Sequence, residues 1–119
     1  IEALEISNNE LGHRHPDTAT SLNNLAGLYC AQGRYGEAEP LYIEALEIRR
    51  NELGHRHPDT ANSLNSLAVL YSSTKRLPKA ADTMLEAVSI VEEILGPTHP
   101  NTITAKNNLK DIQQATDHI

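Results

Sequence analysis

The sequence repeats itself at a constant offset, and this duplication limits the available folds more than any other feature. The stretch NELGHRHPDTA at 9–19 returns letter for letter at 51–61, which sets a 42-residue period, and LGPTHPNT at 95–102 is a weaker third copy. Periods of 20–50 residues are typical of stacked supersecondary units, none of which can bury its apolar face alone. We therefore expect an array of repeats rather than one closed globular core.

Each unit predicts two helices, a first helix and a second helix. The first helix is predicted by apolar residues at helical spacing, which are Ala19, Leu22, Leu25, Ala26, Leu28 and Tyr29. The second helix is predicted in the same way by Tyr35, Ala38, Leu41, Tyr42, Ala45, Leu46 and Ile48. Pro16 suits a first helical turn, and Gly12, Gly54 and Gly96 stand where glycine caps end helices. With no Trp and no Phe, the core must be built from smaller residues that favour helices.

The register of the repeat sets the expected organisation of the chain. Residues 1–12 match 43–54 and predict the end of a preceding second helix. Residues 13–54 form repeat 1, residues 55–96 form repeat 2, and residues 97–119 form a terminal first helix. In that helix Lys106, Lys110 and Gln113 replace apolar residues, as in a polar cap. We expect residues 1–119 to be a single array, taken from a longer one.

Charge and composition argue against several classes of partner. Ten basic residues against sixteen acidic ones give a net charge of −6, with no basic stripe for nucleic acid or for an anionic membrane. No apolar run approaches the length that a membrane-spanning helix needs, so no membrane span is predicted. Cys30 has no second cysteine to pair with, which fits a reducing, cytoplasmic environment.

The duplicated stretch contains His13, His15 and Asp17, spaced two apart, and the second copy keeps the same spacing. Such residues could ligate a metal ion, but the third copy keeps only the central histidine, His99. Because zinc usually takes four ligands, we interpret the stretch as a linker between helices and expect no metal and no cofactor. No paired nucleophile and base, and no phosphate-binding loop, is recognisable, so we do not expect an enzyme.

These residues resemble the tetratricopeptide repeat (TPR) family, in the 42-residue form of kinesin light chains. The resemblance rests on HPDTA-x-SLNNLA-x-LY together with GRY-x-EAEPLY-x-EALEI. It implies an all-α fold, a right-handed α-solenoid of antiparallel helix pairs, with two full repeats plus flanking half-repeats. It also implies that the first helices line a concave groove that receives a peptide or a partner helix, although the fold alone does not name the ligand.

If the first helices line a groove, the positions off their core stripe face it. These positions are Thr20, Asn23, Gly27, Cys30, Asn62, Asn65, Val69, Ser72, Thr104, Asn107, Asp111 and Gln114. Asn23, Asn65 and Asn107 fall one repeat period apart, and such a ladder could hydrogen-bond a peptide backbone. The alternative is that asparagine is only a tolerated polar residue on an exposed face. No Lys or Arg stands in this row, which predicts a neutral or mildly basic ligand.

Two functions are consistent with this pattern. The first is a non-enzymatic protein–protein interaction module that binds an extended peptide or a partner helix in the groove. The alternative is a structural module that self-associates end to end through its unpaired terminal helices. Val91 and Ile94 replace Arg49 and Glu52 of the earlier repeat, and we expect the added apolar surface to mark such a contact.

Overall fold

Five α-helices and no strand make up the part of the chain described by this computed structural model, residues 15–117. They are α1 (Pro16–Ala31), α2 (Tyr35–Leu53), α3 (Pro58–Ser73), α4 (Leu77–Leu95) and α5 (Pro100–Asp117). Each helix packs on the next along the chain, and the stack measures 48 × 31 × 19 Å. The all-α prediction is confirmed, whereas the helix predicted over 1–12 lies outside the described residues. No helix within 15–117 is long and apolar enough to cross a membrane.

The turns that join the two helices of a repeat share one backbone conformation. Gly33 follows α1 with φ of 77°, and its amide donates to the Cys30 carbonyl. Lys75 follows α3 at the equivalent position with φ of 67°, and its amide donates to the Ser72 carbonyl. Glycine adopts this left-handed conformation without strain, whereas a residue with a Cβ does not.

The central first helix, α3, buries two faces at once. One face carries Thr60, Ser63, Leu67 and Leu70, and the other carries Ala61, Leu64, Ala68 and Tyr71. The first face meets the preceding repeat, since the Thr60 hydroxyl donates to the Gly54 carbonyl and Ser63 accepts from Arg49. The second face lies beside α4 of its own repeat, where Tyr71 contacts Arg76 and Lys79.

The two outer first helices bury one of these faces each. Leu25 and Leu28 of α1, predicted for the core, are 41% and 55% exposed, although the equivalent Leu67 and Leu70 are buried. The helix α2 packs on this face of α3, whereas within residues 15–117 no helix precedes α1 to pack on its equivalent face. In α5, Thr102, Ala105 and Ile112 are buried on the side of α4. The opposite face carries the exposed Lys106, Lys110 and Gln113.

We predict that Lys75→Gly stabilises the chain by up to about 1 kcal/mol, because it removes the strain of a left-handed residue with a Cβ. Gly33→Ala creates the same strain in the other repeat and should lower the free energy of unfolding by a similar amount. Urea denaturation of both variants measures these changes. If the two substitutions shift stability in the same direction, the left-handed turn is not the source of strain.

Candidate functional site

Three pockets lie along the face made by the first helices α1, α3 and α5. The first, the Val91 cavity, has a volume of about 270 Å³ and is bounded by α3, α4 and α5. Its lining includes Asn62, Asn65 and Thr104. The α3–α5 pocket, about 170 Å³, is lined by Val69, Ser72, Asp111 and their neighbours. The Tyr42 pocket, about 350 Å³, lies between repeats 1 and 2 and is lined by Cys30, Tyr42, Asn65 and Val69.

Seven of the twelve residues predicted for the groove line these pockets: Cys30, Asn62, Asn65, Val69, Ser72, Thr104 and Asp111. The remaining five lie outside the three pockets: Thr20, Asn23, Gly27, Asn107 and Gln114. A larger share of the predicted groove residues lines these pockets in repeat 2 than in repeat 1.

The three asparagines that lie one repeat period apart have different surroundings, and their predicted role as a ladder for a peptide backbone stays a prediction. Asn65 Oδ1 accepts a hydrogen bond of 2.9 Å from Nδ2 of Asn108, which joins α3 to α5. Asn108 is the residue after the predicted Asn107, which is exposed. At the position equivalent to Asn108 in repeat 2 stands Ser66, and Asn23 Oδ1 is a buried acceptor without a hydrogen-bond partner in the described part of the chain.

A buried cation that the sequence pattern did not predict extends from a second helix to side chains and a carbonyl of the first helices. The Arg49 side chain of α2 is only 7% exposed, and it donates to the Ser63 hydroxyl at 2.9 Å and to the Asp59 carbonyl and the Thr20 hydroxyl at 3.2 Å each. Burial lowers the pKa of this guanidinium, and the Asp59 carboxylate opposes the shift. The expectation of a groove without Lys or Arg therefore holds for the first helices alone.

The position of Arg49 in the helical period offered a signal. It follows the buried Ile48 and lies four residues after the buried Ala45, so it belongs to the inward side of α2. Its equivalent, Val91, is 5% exposed and packs in the core cluster, so the expectation that it adds apolar surface is wrong. Only Ile94 of that predicted pair is exposed, at 49%.

Tyr42 anchors the pocket between repeats 1 and 2. Its side chain is buried, and burial together with the neighbouring Cys30 thiol raises the pKa of its phenol to about 12. Gly27 lies opposite, and a Cβ at that position would meet the Tyr42 hydroxyl at 3.6 Å, an ordinary contact. The predicted groove residue Gly27 thus lies against a phenol that stays protonated and neutral at physiological pH.

The histidine that precedes the proline in each copy of the repeated stretch caps a helix. Nδ1 of His15, His57 and His99 each accepts a 3.0 Å hydrogen bond from the backbone amide two residues later, at the start of α1, α3 and α5. Each imidazole thereby satisfies one of the amides that a helix leaves unpaired at its N-terminus. No group of three or more metal-ligating side chains occurs within residues 15–117, and His13 lies outside that range.

Ion pairs join the two repeats away from the groove. Arg76 donates two hydrogen bonds to the Glu39 carboxylate and lies 4.5 Å from the centre of the Tyr71 ring. Its guanidinium lowers the pKa of Glu39 below the usual range. Arg50 of α2 donates to Glu86 of α4 at 2.8 Å. These contacts fix the position of one repeat on the next.

Helix pairs stacked on a 42-residue period, with a groove along their first helices, define a helical repeat protein of the TPR type. The family profile described as "Tetratricopeptide repeat" matches residues 1–42 and 17–93, and the chain belongs to this family. Its repeats are of the kinesin light chain-like type. TPR proteins are non-catalytic scaffolds whose repeats generally mediate protein–protein interactions.

Solved structures agree with this assignment. The crystal structure of BtubC (BKLC) from P. vanneervenii matches with a TM-score of 0.86 and 28% identity, over 97% of this chain and 46% of that one. A Podosopora anserina protein, described as a kinesin light chain with nearly identical TPR-like repeats, also matches. Its TM-score is 0.83 and its identity is 26%, over 98% of this chain and 55% of that one. The chain thus spans about half the length of these structures. No curated protein matches it.

We predict that His57→Ala lowers the free energy of unfolding by about 1 kcal/mol, because the Asp59 amide loses its capping acceptor. His57→Asn should retain most of the stability, since its side-chain oxygen can accept the same bond. Urea denaturation at pH 7 measures both changes. Equal losses in the two variants would show that the imidazole ring contributes through packing and not through the cap.

We predict that the ion pair between repeats makes stability depend on pH. The native pKa of Glu39 lies below the ordinary pKa of a glutamate. The ionised carboxylate therefore stabilises the fold fully at pH values above the ordinary pKa, and this contribution is lost as the pH falls through the lowered native pKa. The stability difference between the parent and Glu39→Gln should therefore be largest at pH 7 and shrink below about pH 4. Glu47→Gln, at an exposed position of the same helix, is the control and should show no such trend.

Proposed function

We propose that this chain is an interaction module that binds an extended peptide segment along the face made by α1, α3 and α5. The observation that carries the proposal is the position of Asn65, which lines both the Val91 cavity and the Tyr42 pocket. Its Oδ1 accepts from Asn108, and that bond leaves the donor capacity of its amide group uncommitted. A donor at this place can bond a carbonyl of a peptide that crosses from one pocket to the next.

Charge favours a neutral or basic segment. Asp59 and Asp111 are exposed where they line the Val91 cavity and the α3–α5 pocket, and the whole chain carries a net charge of −6. The one cation described at this face, Arg49, is buried and already bonded to three oxygens. An acidic peptide would meet repulsion without a compensating contact.

The second candidate, end-to-end self-association, draws on the exposed Leu25 and Leu28 of α1. The outward face of α5, however, carries Lys106 and Lys110, which are poor partners for apolar side chains. Sedimentation equilibrium over a wide concentration range separates the candidates. A constant monomer mass supports the interaction module, and a mass that rises with concentration and falls again in Leu28→Glu supports self-association.

We predict that a peptide-display selection on the immobilised chain enriches extended, non-acidic sequences. An enriched peptide should bind Asn65→Arg at least about tenfold more weakly, because the longer cation blocks the crossing between two pockets. Asn51→Arg makes the same substitution at an exposed position of α2 outside the groove and should leave affinity unchanged. Fluorescence anisotropy measures both, and equal affinity for the parent and Asn65→Arg would place the binding surface elsewhere.

A further inference from the structure

The duplication supplies two copies of one site within the same chain, and they differ in one decisive side chain. Arg49 bonds to Thr20, to the Asp59 carbonyl and to Ser63. The residues one repeat period after these partners are Asn62, Asn101 and Ala105, and all three line the Val91 cavity. Val91 itself is the equivalent of Arg49. The guanidinium therefore occupies in the first copy the volume that is open in the second.

The partners of the guanidinium change together with it. Ser63, which accepts a 2.9 Å bond from Arg49, becomes Ala105 in the copy where Val91 offers no donor. The exchange of a polar pair for an apolar pair leaves neither member of the pair as an unpaired buried polar group, but it does not refill the volume. An open cavity of about 270 Å³ remains in the second copy.

The walls of the cavity define what it can hold. Its floor is apolar, formed by the buried Ala61, Ala87 and Val91, with Ala105 beside them. Its rim carries the amide and hydroxyl groups of Asn62, Asn65 and Thr104, together with the exposed carboxylate of Asp59. A charged side chain would lose its hydration against this floor. The volume exceeds the roughly 150 Å³ of an apolar cavity that accepts benzene, so it is large enough for a big apolar side chain.

We propose that the Val91 cavity is a subsite that takes one large apolar side chain, of the size of leucine or phenylalanine, from the peptide bound in the groove. The residue at this position of the second helix decides whether a repeat has the subsite: valine leaves it open, and arginine closes it. The inference rests on the proposed function, since it names the side chain that the same groove selects.

A test of the subsite alone uses capped amino acids, N-acetyl-X-N′-methylamides, in which X is leucine, phenylalanine, aspartate or lysine. They are titrated into the ¹⁵N-labelled chain and followed by amide chemical shifts. The leucine and phenylalanine probes should give saturable shifts at Ala87, Val91 and Ala105, and the charged probes should not. Absence of saturable shifts with the apolar probes, or equal shifts with the charged ones, overturns the subsite.

Two double variants provide matched controls because each rebuilds an arrangement already present in the chain. Val91→Arg with Ala105→Ser recreates the closed copy and should abolish the shifts around Val91. Arg49→Val with Ser63→Ala recreates the open copy and should add a second set of shifts at Ala45 and neighbouring residues. Repeat 2 already carries valine and alanine at the equivalent positions, so the second variant should fold. A closed variant that still binds the apolar probes contradicts the proposal.

A peptide enriched by the display selection separates this inference from the proposed function. If its binding is lost in Asn65→Arg and weakened about 10- to 100-fold by Val91→Arg with Ala105→Ser, both proposals hold, since that factor corresponds to the burial of one large apolar side chain. If Asn65→Arg abolishes binding and the closed variant binds as the parent does, the groove stands and the subsite fails. If the apolar probes bind but no peptide is enriched, the subsite stands and the peptide function fails.

Discussion

A first helix of this array has to bury two apolar faces at once, and the rest of the structure depends on that double burial. In α3 one face meets the preceding repeat and the other meets α4, and both are buried. Leucines on the first of these faces are exposed in α1, and the second of these faces carries exposed lysines in α5. Stability therefore comes from neighbours in the stack, as expected when each repeat cannot bury its own apolar surface. The groove is lined by the helix faces that stay exposed after this burial.

The chemistry of the groove is set by second helices as much as by first helices. The first helices supply amides such as Asn65, which are suited to any peptide backbone. The second helices reach between them with Arg49 in one repeat and Val91 in the next. One position thereby changes the local charge and the available volume together. Neighbouring repeats of the same fold can thus present different pockets without any change in helix packing.

The residues outside the groove hold the stack in place. His15, His57 and His99 accept helix-capping bonds, which use their Nδ1 lone pairs. The Arg76–Glu39 pair joins the start of α4 to α2. The capping bonds recur with the 42-residue period, and the ion pair joins two neighbouring repeats. Both interactions therefore belong to the architecture of the array. They fix the spacing of the helices that line the face.

The sequence by itself determined the repeat length, the helices within residues 15–117 and the glycines that end α2 and α4, because these depend on residues close together in the chain. Only the tertiary structure decided that Arg49 bonds to Ser63 and that Asn65 pairs with Asn108. Each of these outcomes depends on a contact between helices of different repeats. A helical period places a side chain on a face of its own helix, but which neighbour meets that face is settled by packing.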